Sequence, residues 1–195
     1  MKQLIENSLQ KSITYSEYRE LVSKLLSQGK STGTTQSESL LHYSSLNDKR
    51  MKRLDKTIKL TEETIETIKN FDRKTTWLVL SEGWCGDAAQ TLPIINKIAN
   101  ESDQIDLRIV FRDENEELMN QFLTNGGKSI PKLIALNDAN DVIGSWGPRP
   151  TTATNMVNEY KEKNGALDDE FKRDLQVWYN KDKGKNTQKD LLKLL

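Results

Sequence analysis

Cys85 is the only cysteine among 195 residues, and it sits in EGWCGDAAQTLP, between Trp84 and Gly86 and eight residues before Pro93. A lone thiol can attack a disulfide and form a mixed disulfide that an outside thiol must resolve. It can also serve as a sensor by oxidation to sulfenic acid. At a helix N-terminus the unpaired N–H groups and the helix dipole would favour the thiolate. Asp87, in the first turn of the helix expected here, works against this, because its charge repels a thiolate and its carboxylate can occupy the helix end itself. One cysteine and one histidine, His42, cannot supply the ligands of a zinc site, so no metal and no cofactor is expected. A Cys–His pair would need His42 to fold back onto Cys85 from a separate N-terminal segment, and His42 is read instead as a surface or helix-packing residue.

The elements around the cysteine follow from periodicity. Thr76 to Leu80 (TWLVL) is a continuous apolar run with a β-branched member, the pattern of a strand buried on both faces. After the cysteine, Ala88, Leu92, Ile95 and Ala99 recur at helical spacing, with Pro93 expected to kink the helix. Ile105–Phe111 reads as a second strand, DENEELMNQFL as a helix with Leu118/Phe122 and Met119/Leu123 pairs, and PKLIAL as a third strand. NDAND is a tight turn into a fourth strand, DVIGSW, antiparallel to the third, and a helix carrying Met156, Val157 and Tyr160 begins near Thr152. The order is β-α-β-α-β-β-α, an α/β fold with a central mixed sheet.

Helices flank this core. In the arm over residues 1–72, Thr14 and Glu17 form a capping box, Gly29 stops the first helix, KSTGTTQS is a loop, and a longer helix carries Leu40, Tyr43, Leu46, Met51, Leu54 and Ile58. Its other face, with Lys49, Arg50, Lys52 and Arg53, reads as a solvated surface. A central domain spans residues 73–165. Residues 166–195 add a helix with Leu167, Phe171, Leu175 and Trp178 on one stripe, then a lysine-rich segment, KDKGKNTQKD, expected to be mobile before a closing LLKLL.

In an α/β sheet of this order the residues that follow parallel strands, and those that precede or follow antiparallel ones, return to one edge, where ligands bind. That edge should gather Cys85, Arg112, Pro131 and Arg149, with Lys128 just before the proline loop and Asp87 and Asp113 as ion-pair partners for the arginines. Trp84 can cover the sheet edge and shield the thiol, Trp77 suits the core or a subunit contact, and Ala88 lies on the core-facing helix stripe. The formal net charge of zero argues against nucleic acid or an anionic membrane as partner. No apolar run is long enough to span a membrane, MKQLIENSLQ lacks the core of a secretory signal, and a single free thiol suits a reducing compartment, so a cytoplasmic location is expected.

Trp84-Cys85-Gly86 between a buried strand and a helix, Pro93, and Ser129-Ile130-Pro131 opening the third strand together resemble the thioredoxin superfamily, over roughly Thr75 to Lys163. With MKRLDKT, WCGDAAQ, FRDEN, NGGKSIPK and WGPRP included, the whole chain resembles a bacterial thioredoxin-family group with a helical N-terminal extension. The resemblance implies a thioredoxin-like fold, a cis proline at Pro131 facing the cysteine, and a substrate held as an added extended segment by the Ile130 backbone and Pro131. The chain departs from the family where its second cysteine would fall, at Ala88, and where its buried aspartate would fall, at Val79. A dithiol cycle within the chain is therefore excluded. Two functions fit. One is monothiol thiol–disulfide exchange, with Cys85 catalytic and a thiol- or disulfide-containing protein, or a small thiol, as partner; Trp84, Gly86, Asp87, Arg112, Lys128, Ile130, Pro131 and Arg149 would bind substrate. The other is a non-catalytic binding module or redox sensor on the same groove.

Overall fold

Strand β1 (Thr75–Ser81) is apolar on both sides because it becomes an inner strand of the sheet. In the computed structural model, which describes residues 1–195, it lies between β2 (Ile105–Phe111), which runs parallel to it, and β3 (Lys132–Asn137), which runs antiparallel. β4 (Val142–Trp146) continues antiparallel on β3, giving the order β2-β1-β3-β4. Trp77, Leu78, Val79 and Leu80 are fully buried, and Trp77, placed opposite Leu107 and Ala135, is a core residue. The β3–β4 turn closes on Asn137, whose Oδ1 accepts from the Ala139 and Asp141 N–H groups at 2.9 Å each. Asn140 takes φ 61°, which asparagine tolerates better than most residues.

Helix α5 (Gly86–Ala99) packs on the sheet through Ala88, Leu92, Ile95 and Ala99, and Pro93 lies buried in its interior. Four helices precede β1: α1 (Lys2–Gln10), α2 (Tyr15–Ser27), α3 (Glu38–Thr57) and α4 (Glu62–Lys69). The Thr14/Glu17 capping box is closed, with Glu17 Oε2 accepting from the Thr14 N–H at 2.7 Å. Between α1 and α2, Ile13 exchanges two backbone hydrogen bonds with Ile109, at 2.9 and 2.8 Å, which covers the outer edge of β2. Tyr18 stacks on Phe111 with ring centroids 5.9 Å apart. Ile5, Tyr18, Val22 and Met51 join the sheet residues in one continuous core. Burying a side chain of this size contributes about 1.5–3 kcal/mol, so the arm is integral to stability.

Two stretches differ from the sequence-based expectation. The helix expected through Leu123 is a short one, α6 (Glu116–Asn120), preceded by a 3₁₀ turn at Arg112–Glu114. Leu118 and Met119 are buried, but Leu123 is exposed. Asn115 fixes the break, because its amide donates to the Phe111 carbonyl at 2.9 Å and accepts from Ser8 Oγ at 2.9 Å. The lysine-rich tail, expected to be mobile, is ordered. After α7 (Thr151–Asn164) and α8 (Asp169–Asp182), helix α9 (Lys185–Leu191) docks on the core through the fully buried Leu191. Gln188 accepts from the Thr61 N–H at 2.8 Å and donates to the Lys59 carbonyl at 3.2 Å. Asp190 accepts from the first N–H of α7, that of Thr151, at 2.6 Å. The lysines point outward while Leu191, Gln188 and Asp190 face in, so composition misled where spacing of the inward residues would not. No helix is long and apolar enough to cross a membrane.

Candidate thiol site

The loop from Glu82 to Cys85 delivers the thiol to the sheet edge, and the N-terminal arm holds that loop. The Gly83 N–H donates to Thr32 Oγ1 at 2.8 Å, and the Gly83 carbonyl accepts from Asn47 Nδ2 at 3.0 Å. Cys85 is then the N-cap of α5, its Sγ accepting from the Ala88 N–H at 3.4 Å. The thiol proton goes the other way, to the Ile130 carbonyl at 3.2 Å, immediately before Pro131. The Ile130–Pro131 and Gly147–Pro148 peptide bonds are cis. Gly147 has φ +115°, and a Cβ there would lie 2.2 Å from the Pro131 carbonyl oxygen, so only glycine lets the loop carrying Arg149 pack on the proline loop.

This packing brings Cys85, Ile130, Pro131 and Arg149 into one cluster, with Asp87 at its centre. Arg149 Nη2 pairs with Asp87 Oδ2 at 2.7 Å, and the Tyr179 hydroxyl donates to Asp87 Oδ1 at 2.9 Å. A second link, from Gln90 Nε2 to Gln176 Oε1 at 2.9 Å, fastens α8 along the first turns of α5. Cys85 is 8% exposed. Burial is the main cause that pushes its thiol up to about 12, and the charge of Asp87 is the second. The N–H groups of Ala88 and Asp87 and the Arg149 guanidinium pull it back down without winning. Burial likewise holds the Asp87 carboxyl above its ordinary range, against the pull of Arg149 and Tyr179. The thiol is therefore a neutral donor in this arrangement, and Ala88 offers no second sulfur.

Arg112 and Lys128 have ion-pair partners of their own. Arg112 binds Asp113 Oδ1 through Nε at 2.8 Å and Nη2 at 2.7 Å, donates to the Lys128 carbonyl at 3.4 Å, and lies 4.8 Å over the Trp84 ring. Its charge is balanced by its chain neighbour Asp113, and it lies against Trp84, the residue before the cysteine. Lys128 is exposed and pairs with Glu116. Gly86 opens α5 where Gln176 of α8 comes close; a Cβ there would lie 3.5 Å from its amide nitrogen. His42 is exposed on α3, edge-on to Tyr43 at 5.9 Å.

Several residues of the site were not visible in the sequence. Tyr179 is one: the stripe on α8 runs through Phe171, Leu175 and Tyr179, which are buried, and Trp178 lies only partly under cover. The step from Leu175 to Tyr179 is also helical spacing, so the signal was present and the neighbouring tryptophan masked it. Glu82 is another. It is fully buried, Oε1 accepts from the Asp113 N–H at 3.1 Å, Oε2 has no partner, and burial pushes its carboxyl up to about 7.

A thioredoxin family profile matches residues 33–161, which includes the thiol loop, the proline loop and all four strands. No curated protein matches the chain. Among solved structures, a protein of unknown function from Pseudomonas aeruginosa aligns with a TM-score of 0.58 at 15% identity, covering 93% of this chain and 96% of its own. An HIV epitope-scaffold aligns with a TM-score of 0.57 at 16% identity, covering 93% and 97%. At such identities these two likenesses speak to the fold, while the profile match extends over most of the length: the chain belongs to the thioredoxin family.

Proposed function

We propose that the protein is a thioredoxin-fold binding protein in which Cys85 is kept as a neutral, covered thiol and does not turn over as an oxidoreductase. The observation that carries this reading is where the thiol proton goes. It is donated to the Ile130 carbonyl, while Asp87 beside it is paired with Arg149 and tied by Tyr179 to α8. Attack on a disulfide needs the thiolate, and here burial and a neighbouring carboxylate both oppose its formation. Intact-protein mass spectrometry after incubation with oxidised glutathione near neutral pH tests the reading. The expected result is an unmodified protein, and a reducible glutathione adduct that accumulates on the native chain would overturn it.

One observation favours monothiol exchange instead: Sγ sits at the N-terminus of α5 and faces the Ile130–Pro131 loop. In that case Cys85 gives its proton to solvent, and the thiolate attacks one sulfur of R–S–S–R′. A Cys85–S–S–R bond forms and R′S⁻ leaves. The thiolate of a second, external thiol R″SH then attacks the R sulfur, releasing R–S–S–R″ and the Cys85 thiolate. The partner would be a disulfide- or thiol-containing protein or a small thiol in a reducing, cytoplasmic setting. α8 would first have to leave Asp87.

A further inference from the structure

A groove of about 880 Å³ opens between α3 and α8, with Trp84, Gly86 and Asp87 at its floor. This lies within the size range of small-molecule sites, about 300–1,000 Å³. Its walls are apolar, with Leu40, Tyr43 and Leu46 from α3 facing Leu175 and Val177 of α8. Tyr43 and Val177, at its lips, are 44% and 49% exposed, which makes them two of the large apolar side chains most open to water in the whole molecule.

The charges inside the groove do not balance. Arg149 is matched by Asp87 at 2.7 Å and Lys172 by Asp169 at 2.9 Å, and all four line the groove. Arg50 and Arg173 also line it, and neither takes part in any ion pair of the molecule. Arg50 is half-buried, unlike its exposed neighbours Lys49, Lys52 and Arg53, so the basic face of α3 is not uniformly solvated. Its Nη1 donates to Asn47 Oδ1 at 2.6 Å, and fully buried Asn47 in turn holds the Gly83 carbonyl. The guanidinium is thus fixed relative to the thiol loop and left with an uncompensated charge. Burial and the nearby Arg53 lower its pKa, the direction expected of a cation that lacks an anion.

We propose that this groove binds a small amphiphilic carboxylate, its apolar body lying between α3 and α8 on Trp84 and its carboxylate paired with Arg50. A planar guanidinium anchored on Asn47 matches a carboxylate in two parallel hydrogen bonds, and the apolar walls supply burial that a purely ionic ligand would not use. Closure by two helices and a floor suits a compact ligand better than an extended acidic peptide. The proposal names the ligand of the binding reading and rests on it.

Calorimetric titration of the full chain with dodecanoate, dodecylamine and acetate, below any micelle concentration, tests it. Dodecanoate is expected to bind saturably with one site, and acetate and dodecylamine to bind at least about tenfold more weakly. Arg50→Gln should weaken dodecanoate about tenfold or more, and Val177→Glu, on an exposed position that folding does not need, should do the same by placing a carboxylate at the lip. No dodecanoate binding, equal binding of the amine, or binding that ignores both variants would overturn the ligand class. None of those outcomes touches the glutathione experiment, so failure of the ligand class and failure of the binding reading are read separately.

Discussion

Replacing Arg149 by methionine removes the cation from a pair that is nearly out of water: Arg149 is 23% exposed and Asp87 11%, and their atoms are 2.7 Å apart. Breaking a fully buried pair by deleting one partner costs about 3–5 kcal/mol, because the remaining charge stays desolvated. Here Tyr179 still donates to Asp87 at 2.9 Å, and the residual exposure admits some solvent. The expected cost is therefore about 2–3 kcal/mol near neutral pH. For a chain of this size that is a drop of about 5–10 °C in Tm. The cost should also depend on pH. Burial already raises the Asp87 carboxyl in the native protein, and losing Arg149 raises it further. A group whose native pKa is raised adds stability below its unfolded pKa and loses it as pH rises through the native one. The variant should accordingly be closest to wild type in mild acid and fall behind as pH rises. Denaturant unfolding of wild type, R149M, D87N and the double variant at several pH values checks this. The double variant should be more stable than R149M, since it removes the stranded charge. A cost below about 1 kcal/mol that is flat with pH, or a double variant no better than R149M, would refute the reasoning.

Three further outcomes follow from the same packing. Glu82 is buried with its carboxyl raised to about 7 from 4.5, so wild-type stability should fall as pH rises from about 4.5 to about 7, at up to about 1.4 kcal/mol per pH unit; Glu82→Gln should flatten that slope in pH-dependent unfolding. Gly147→Ala would push a Cβ to 2.2 Å from the Pro131 carbonyl oxygen at φ +115°, and should cost about 3 kcal/mol in denaturant unfolding. Leu191→Ala should cost about 2–5 kcal/mol, whereas a detached tail would make it silent; differential scanning calorimetry distinguishes the two.

The strands and α5 were legible in the sequence because each has one dominant period. TWLVL is apolar throughout, and Ala88, Leu92, Ile95 and Ala99 share one helix face. Cys85 and the Ser129–Pro131 segment could be placed because they follow and precede such elements. What stayed hidden depends on contacts between segments far apart in the chain. Asn47 and Thr32 hold Gly83 from the arm, and Tyr179 reaches Asp87 from α8; helical spacing marks Tyr179 as buried, but no local pattern names the partner of any of these residues. The Arg112–Asp113 pair, by contrast, joins neighbours in the chain and was legible, whereas the position of Arg112 over the Trp84 ring was not. The ordered tail was obscured by its lysines, which solvate one face of α9 while Leu191 occupies the core.

The most direct test of a neutral, covered Cys85 is the rate of its alkylation by iodoacetamide as a function of pH, on the native full chain with only one thiol to modify. The burial of Sγ, its bond to the Ile130 carbonyl and the charge of Asp87 together predict slow modification with an apparent pKa well above the ordinary cysteine value of about 8.5. Fast modification with an apparent pKa below about 7 would contradict it and make Cys85 a working nucleophile.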